Sequence, residues 1–157
     1  MVTQQRERLD WVLLAYRLPR EPSTPRISLW RKLKRLGAAQ VQDSLVALPL
    51  DSRNREQLEW LAEEVVEAGG EATIWVAQTA TAAQERALVA RMAQAVAADY
   101  RAVIDAAGAP GATDRRTLSR LRRSLRAIRA RDYFPPPERE EALRAVDELQ
   151  TAAEVAR

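Results

Sequence analysis

The stretch WVLLAYRLPREPSTPRISLWRKLKRLG (11–37) decides the fold prediction for this chain. Its first eight residues form a short apolar run with two aromatic side chains, which predicts a buried strand rather than a helix. After a proline-rich loop, Thr24 fits the N-cap of a helix and Pro25 its first position. Gly37 is a natural left-handed C-cap. The pattern therefore predicts a strand, a loop and then a helix that ends at Leu36.

The same alternation continues to residue 78. AAQVQDSLVALPL (38–50) predicts two short strands, and Asp51 or Ser52 then caps a helix that Gly69-Gly70 ends. EATIWVAQ (71–78) predicts a fourth strand. The second helix presents one apolar face, made of Leu58, Leu61, Ala62 and Val65. The order β-α-β-β-α-β is that of a ferredoxin-like domain, in which two helices cover one face of a four-stranded antiparallel sheet.

The second half of the chain predicts three amphipathic helices. Thr81 and Gln84 fit a capping box at the start of a long alanine-rich helix that runs to about Ala107. Thr113 is the expected N-cap of the next helix, which reaches about Arg131, and a run of three prolines precedes the last helix. We therefore expect an α+β chain with a ferredoxin-like domain over residues 1–79. A three-helix appendage over 80–157 is expected to pack on it.

Composition excludes several kinds of site. The chain of 157 residues has neither cysteine nor histidine. Disulfides, thiolate or imidazole metal sites and a Ser-His-Asp triad are therefore impossible. Glycine-rich phosphate loops and nucleophile-elbow motifs are absent too, and the adjacent carboxylates on helices fit solvated surface. We expect a protein that is not an enzyme and has no metal and no cofactor.

Hydropathy argues against a membrane role. No apolar run approaches the roughly 18 residues that a membrane-spanning helix needs. The first ten residues, MVTQQRERLD, are polar and do not resemble a signal peptide. The sequence predicts a cytoplasmic protein without a membrane partner.

The basic residues are unevenly distributed. The formal net charge is only +3, made of 23 arginines and 2 lysines against 22 acids, and the excess lies after residue 80. Two acid-free clusters stand out, one on the first helix and one between Asp114 and Asp132 on the fourth. The candidate DNA-binding residues in these clusters are Arg26, Arg31, Lys32, Lys34, Arg35, Arg116, Arg120, Arg122, Arg123, Arg126 and Arg129. Guanidinium groups match phosphate oxygens, so we expect a homodimer that contacts the phosphate backbone of DNA.

Three alternatives remain open at this point. The arginines could be solvated, or paired with acids from elsewhere in the fold. The chain could be a protein-interaction module that forms a homodimer or docks a separate sensor chain, with Trp60 as a candidate contact because it lies off the apolar face of its helix. An arginine-lined site for a small oxyanion is the third alternative.

Four stretches carry a resemblance to a known family. These are 11–38, VQDSLVALP (41–49), LEWLAEEVVEAGGEA (58–72) and RDYF (131–134). Together they resemble the N-terminal domain of ChrB, the chromate-resistance regulatory family. A looser similarity of fold links the chain to PaaX-type and CRISPR-adaptation ferredoxin-like domains.

The resemblance implies a chromate-responsive transcriptional regulator that is encoded with a chromate efflux transporter. It implies DNA contacts from Arg17, Arg20, Arg26, Arg31, Lys32, Lys34 and Arg35. Members of this family are usually about twice as long as this chain, and their second domain is thought to sense chromate. The resemblance therefore also implies a separate sensor domain as a partner.

The CRISPR-type relatives carry an acidic residue at the end of the first strand for metal-assisted nuclease chemistry. Here that strand ends at Arg17, and a guanidinium group repels a divalent cation. We expect no metal-dependent nuclease activity.

Overall fold

A computed structural model of the chain describes residues 7–157. Residues 1–6, which form most of the polar start behind the cytoplasmic prediction, lie outside the described residues. The structure is a mixed α/β arrangement with a four-stranded antiparallel sheet and five helices. Its elements are β1 (Trp11–Arg17), α1 (Thr24–Leu36), β2 (Ala39–Gln42), β3 (Leu45–Pro49), α2 (Ser52–Glu67), β4 (Glu71–Ala77), α3 (Ala82–Ala107), α4 (Arg115–Ala130) and α5 (Glu138–Val155). The strands and helices lie within one or two residues of the predicted segments.

The sheet has the order β2-β3-β1-β4, with every neighbouring pair antiparallel. Because side chains alternate along a strand, the register places Val12 and Leu14 of β1 on the same face as Val46 and Leu48 of β3. These four side chains are at most 3% exposed. Helix α2 packs against β1 and β4, and α1 contacts α2. The core of the sheet region therefore forms from the apolar runs that the sequence singled out.

Two predicted helix starts are confirmed. The backbone N–H of Asn54 donates to Asp51 Oδ1 at 2.6 Å, so Asp51 is the N-cap of α2. At α3, Thr81 Oγ1 accepts from the backbone N–H of Gln84, and Gln84 Oε1 accepts from the backbone N–H of Thr81, both at 3.1 Å. This reciprocal pair is the predicted capping box.

Two predicted caps are wrong by one residue. Thr24 is the first residue of α1, and Ser23 holds the N-cap position without a side-chain cap bond. At α4 the cap is Asp114, not Thr113, because the Asp114 carboxylate accepts from the backbone N–H of Thr117. An acid here also interacts favourably with the helix N-terminus.

Gly70 is required by a close approach of backbones. A Cβ at this position would lie well inside the contact distance of the Arg17 carbonyl oxygen and 2.9 Å from Cγ1 of Val65. We therefore expect Gly70→Ala to lower the free energy of unfolding by about 2–3 kcal/mol, since overpacking forces the backbone to shift. Gly111→Ala is the comparison, because a Cβ at Gly111 meets nothing and only its φ of 76° is strained. Urea denaturation of both variants measures the difference, and equal losses would contradict the steric explanation.

The chain divides into two compact units, Met1–Val89 and Ala90–Arg157. The division falls inside α3, ten residues beyond the predicted boundary at 79/80. The second unit has its own core, where buried side chains from the end of α3 meet those of α4 and α5. Its members are Val96, Tyr100, Val103, Ala112, Leu118, Leu121, Leu125, Ile128, Ala142, Val146 and Leu149. The packing of the helices on the sheet stays a prediction.

Across residues 7–157, no helix combines the length and the apolar character that crossing a bilayer requires.

Candidate nucleic-acid interface

Helix α4 presents one apolar face and one arginine face. Leu118, Leu121, Leu125 and Ile128 are buried and fix the orientation of the helix within the second unit. Arg123 lies about 200° around the helix from Leu125, at 100° per residue, so it points directly away from the core. The arginine face is made of Arg116, Arg120, Arg123 and Arg126, all of them exposed.

The arginine face carries no neutralising acid. No carboxylate in residues 7–157 lies within 4.0 Å of Arg116, Arg120, Arg122, Arg123, Arg126 or Arg129, whereas six other basic residues form such pairs. The helix itself contains no acid between Asp114 and Asp132. An unpaired guanidinium keeps all five of its N–H donors available to a ligand. Within residues 90–157, acids from elsewhere in the unit therefore do not neutralise these six arginines.

The two flanks of α4 differ from its outward face. Arg122 is half-buried beside the apolar side chains, and Arg129 is exposed but close enough to act on the charge state of Tyr100. Just beyond the helix, Arg131 donates to Asp99 at 3.0 Å and is thereby removed from the cluster. The four outward arginines are thus the part of the predicted cluster that is most accessible.

A buried polar contact fixes the C-terminal end of α4. Tyr100 is fully buried, and its hydroxyl donates to Asp132 Oδ2 at 2.7 Å. The Asp132 side chain is itself fully buried, and Arg139 Nη1 lies 3.8 Å from the same oxygen. Burial first, and then the hydrogen bond to Asp132 and its charge, raise the pKa of Tyr100 far above the usual value, so its hydroxyl remains a donor. Sequence reasoning missed this contact, although RDYF (131–134) belongs to the stretches that carry the resemblance.

Helix α1 carries the second predicted cluster, which is partly neutralised. Lys32 forms an ion pair with Glu64 of α2 at 2.8 Å. The Lys34 Nζ lies 4.5 Å from the centroid of the Trp30 ring, so the Lys34 ammonium group forms a cation–π contact with that ring. The members that are exposed and form no ion pair within the described residues are Arg26, Arg31 and Arg35. Helix α1 therefore offers fewer unpaired cations than α4.

Aromatic side chains accompany the basic residues of α1 and α2. Trp30 and Trp60 are each 53% exposed. Trp60 borders a shallow groove between α1 and α2 that Lys32, Arg35, Leu36, Gln57, Leu61 and Glu64 also line. Trp60 therefore lies off the apolar face of α2, as the helical pattern predicted.

Carboxylates do not cluster in the part of the chain that the structure describes, where no three of them come close enough to hold a metal ion. Arg17 ends β1 and donates to Glu71 of β4 at 2.6 Å. Of the DNA contacts that the family resemblance implied, Arg17 is therefore already paired, and Arg20 lies in the exposed loop before α1.

Comparison with known proteins places the chain in a family. Residues 26–110 match the family described as "Protein ChrB, N-terminal", which is more than half of the chain. The chain belongs to the ChrB N-terminal family. A curated relative, Protein ChrB from Cupriavidus metallidurans, is 32% identical over 132 residues. That match covers 80% of this chain and 40% of the relative, so the chain spans well under half of the relative's length. No solved structure matches the chain.

The ChrB match covers the two basic helices unequally. The family model over residues 26–110 includes the basic residues of α1 and all of α3 but ends before α4 begins at Arg115. The family model therefore bears on the α1 cluster, whereas the match to the curated relative, which covers 80% of the chain, extends into α4 as well. The argument for α4 as a binding surface comes from its exposed and unpaired arginines.

Proposed function

We propose that the chain is a non-catalytic DNA-binding module of a chromate-resistance system, which contacts the phosphate backbone through α4 and, more weakly, through α1. Family membership supports the link to chromate resistance. The single observation that carries DNA binding is the set of α4 arginines without an ion pair in the described chain, four of which point away from the core. Regulation of transcription follows in this proposal from binding upstream of the resistance genes.

Physical chemistry favours a polyanion over a small anion as the ligand. The outward arginines are spread over nearly three turns of α4, from Arg116 to Arg126, which is roughly 15 Å of helix axis. That spacing exceeds the size of a single oxyanion but matches consecutive phosphates along a nucleic-acid strand. Arginine also pairs with phosphate oxygens through two parallel N–H bonds.

We also infer that the first unit is a ferredoxin-like domain. The element order β1-α1-β2-β3-α2-β4, with β1 and β3 in the middle of the sheet, supports this assignment. In this arrangement α1 and α2 share one face of the sheet, so Trp30, Trp60 and the basic residues of α1 belong to the same helical layer.

The salt dependence of binding tests the proposed function. About five phosphate contacts give a slope near −4.5 in a plot of log affinity against log salt concentration. We expect fluorescence anisotropy with labelled duplex DNA, taken from upstream of the resistance genes, to show that slope. Binding that does not change with salt, or no binding at low salt, would refute the proposal.

A second candidate function is a docking module for a separate sensor chain. Two half-exposed tryptophans, Trp30 and Trp60, on neighbouring helices favour it, because tryptophan is enriched at the centres of protein interfaces. If this second function is correct, the chain captures the part of the ChrB relative that lies outside the match, and Trp60→Ala abolishes that capture. The anisotropy experiment then shows no DNA binding. The two functions are thereby separated by one variant and one titration.

A further inference from the structure

Strand β4 leaves one edge of the sheet unpaired. It is the terminal strand in the order β2-β3-β1-β4 and pairs with β1 alone among the described residues. Its other edge offers a row of backbone N–H and C=O groups to any second strand that approaches.

The two edges of the sheet are built differently. At the opposite edge, β2 has only four residues, its register shifts between Gln40 and Gln42, and the side-chain amide of Gln40 donates to the Asp43 carbonyl oxygen. Short length, an irregular register and polar side chains are the usual protections of an edge against pairing. Strand β4 has neither the short length nor the irregular register: it is seven residues long, pairs with β1 in an unbroken register, and residues 72–77 carry no charge and no proline.

Apolar side chains flank the free edge of β4 on both faces of the sheet. Trp75 is 57% exposed on one face, and Val76 is 49% exposed on the other. The one charged residue of the strand, Glu71, is already paired with Arg17.

We propose that β4 pairs with β4 of a second copy of this chain, antiparallel about a two-fold axis, to form a continuous eight-stranded sheet. Two observations select a second copy as the occupant. The edge carries no free charge that would select a partner of opposite charge, and its apolar run complements itself. When the axis passes through Trp75, Ile74 lies opposite the partner's Val76, and Glu71 falls outside the paired segment.

The pairing of two β4 strands also doubles the proposed DNA-binding surface. The proposed dimer does not depend on DNA binding. The edge, its apolar flanks and its uncharged sequence would favour a dimer whether or not the arginines bind DNA. Trp60, the dimer contact that the sequence suggested, lies on a different surface and is therefore a suitable control.

The experiment is sedimentation of the full chain over a concentration series. We expect the unchanged chain to form a dimer, and Trp75→Lys combined with Val76→Lys to weaken association on the order of 100-fold, because each substitution enters the symmetric interface twice. Trp60→Lys is expected to leave association unchanged. A chain that stays monomeric throughout, or a dimer lost in Trp60→Lys but kept in the β4 variant, would overturn the proposal.

A second measurement needs no variant and therefore avoids any loss of folding. Hydrogen exchange of the unchanged chain at low and high protein concentration reports the outer amides of β4 directly. We expect slower exchange in residues 72–77 as the dimer forms, with no change in β2. Equal exchange in β4 at both concentrations would exclude the edge pairing even if a dimer exists.

Discussion

Replacing Arg120, Arg123 and Arg126 together by glutamine lowers the affinity for duplex DNA on the order of 100-fold near 0.1 M salt, and it flattens the salt slope by about 2.7. Each phosphate contact contributes about 0.9 to that slope, so three contacts account for the change. Glutamine has nearly the helix propensity of arginine, and the three side chains point away from the core. The fold of α4 is therefore retained while its charge is removed. Anisotropy titrations at several salt concentrations measure both quantities.

A matched control removes three positive charges from exposed arginines that lie outside α4. Arg17, Arg55 and Arg101 are exposed and each already forms an ion pair, with Glu71, Glu59 and Glu138 respectively. Changing these three to glutamine alters the net charge equally but removes no guanidinium that is free to bind. We expect a loss of only a few fold and an unchanged slope. Equal losses in both variants would mean that net charge, and not α4, determines the binding.

Arg122 and Arg129 are unsuitable for this experiment even though the sequence placed them in the cluster. Arg122 is half-buried beside the apolar face of α4, and Arg129 acts on the buried Tyr100. Truncating either changes packing or the charge balance of the core together with any phosphate contact. Circular dichroism and a melting curve for each variant keep stability and affinity separate.

The sequence predicted the elements well where a local signal was strong. Apolar alternation with β-branched residues placed β4, the left-handed Gly37 ended α1, and the Thr81–Gln84 pair began α3. Leu118, Leu121, Leu125 and Ile128 recur at helical spacing in the sequence, and the structure buries all four. Local patterns suffice here because each depends on residues a few positions apart.

The same reasoning failed where the outcome depends on distant residues. Sequence spacing placed Lys32 among equal cations, but folding pairs Lys32 with Glu64, and it pairs Arg131, next to the α4 cluster, with Asp99. Pairing of charges more than thirty residues apart leaves no periodic signal in the chain. The free edge of β4 is a further case, because strand order is a property of the whole sheet.

Asp132→Ala lowers the free energy of unfolding by about 3 kcal/mol. The substitution leaves the buried Tyr100 hydroxyl without its acceptor at 2.7 Å and removes the carboxylate next to Arg139. A buried donor left unsatisfied costs about 1–3 kcal/mol, and an uncompensated, mostly buried cation adds to that cost. Asp132 lies in the turn between α4 and α5 and bonds to Tyr100 of α3. The substitution therefore destabilises the helix core that orients the arginine face. Urea denaturation measures it.

Glu138→Ala is the matched control, because Glu138 also bonds to a side chain across the helices, that of Arg101, which is 57% exposed and stays solvated when its partner is removed. An exposed ion pair contributes at most about 1 kcal/mol, so this variant should unfold near the unchanged chain. One term opposes the main prediction: Asp132 Oδ1 is buried without a hydrogen-bond partner in the described chain, and its desolvation is unfavourable. If Asp132→Ala is neutral or stabilising, that desolvation outweighs the contacts to Tyr100 and Arg139. The polar contact would then not stabilise the position of α4, and its apolar face alone would hold the arginines outward.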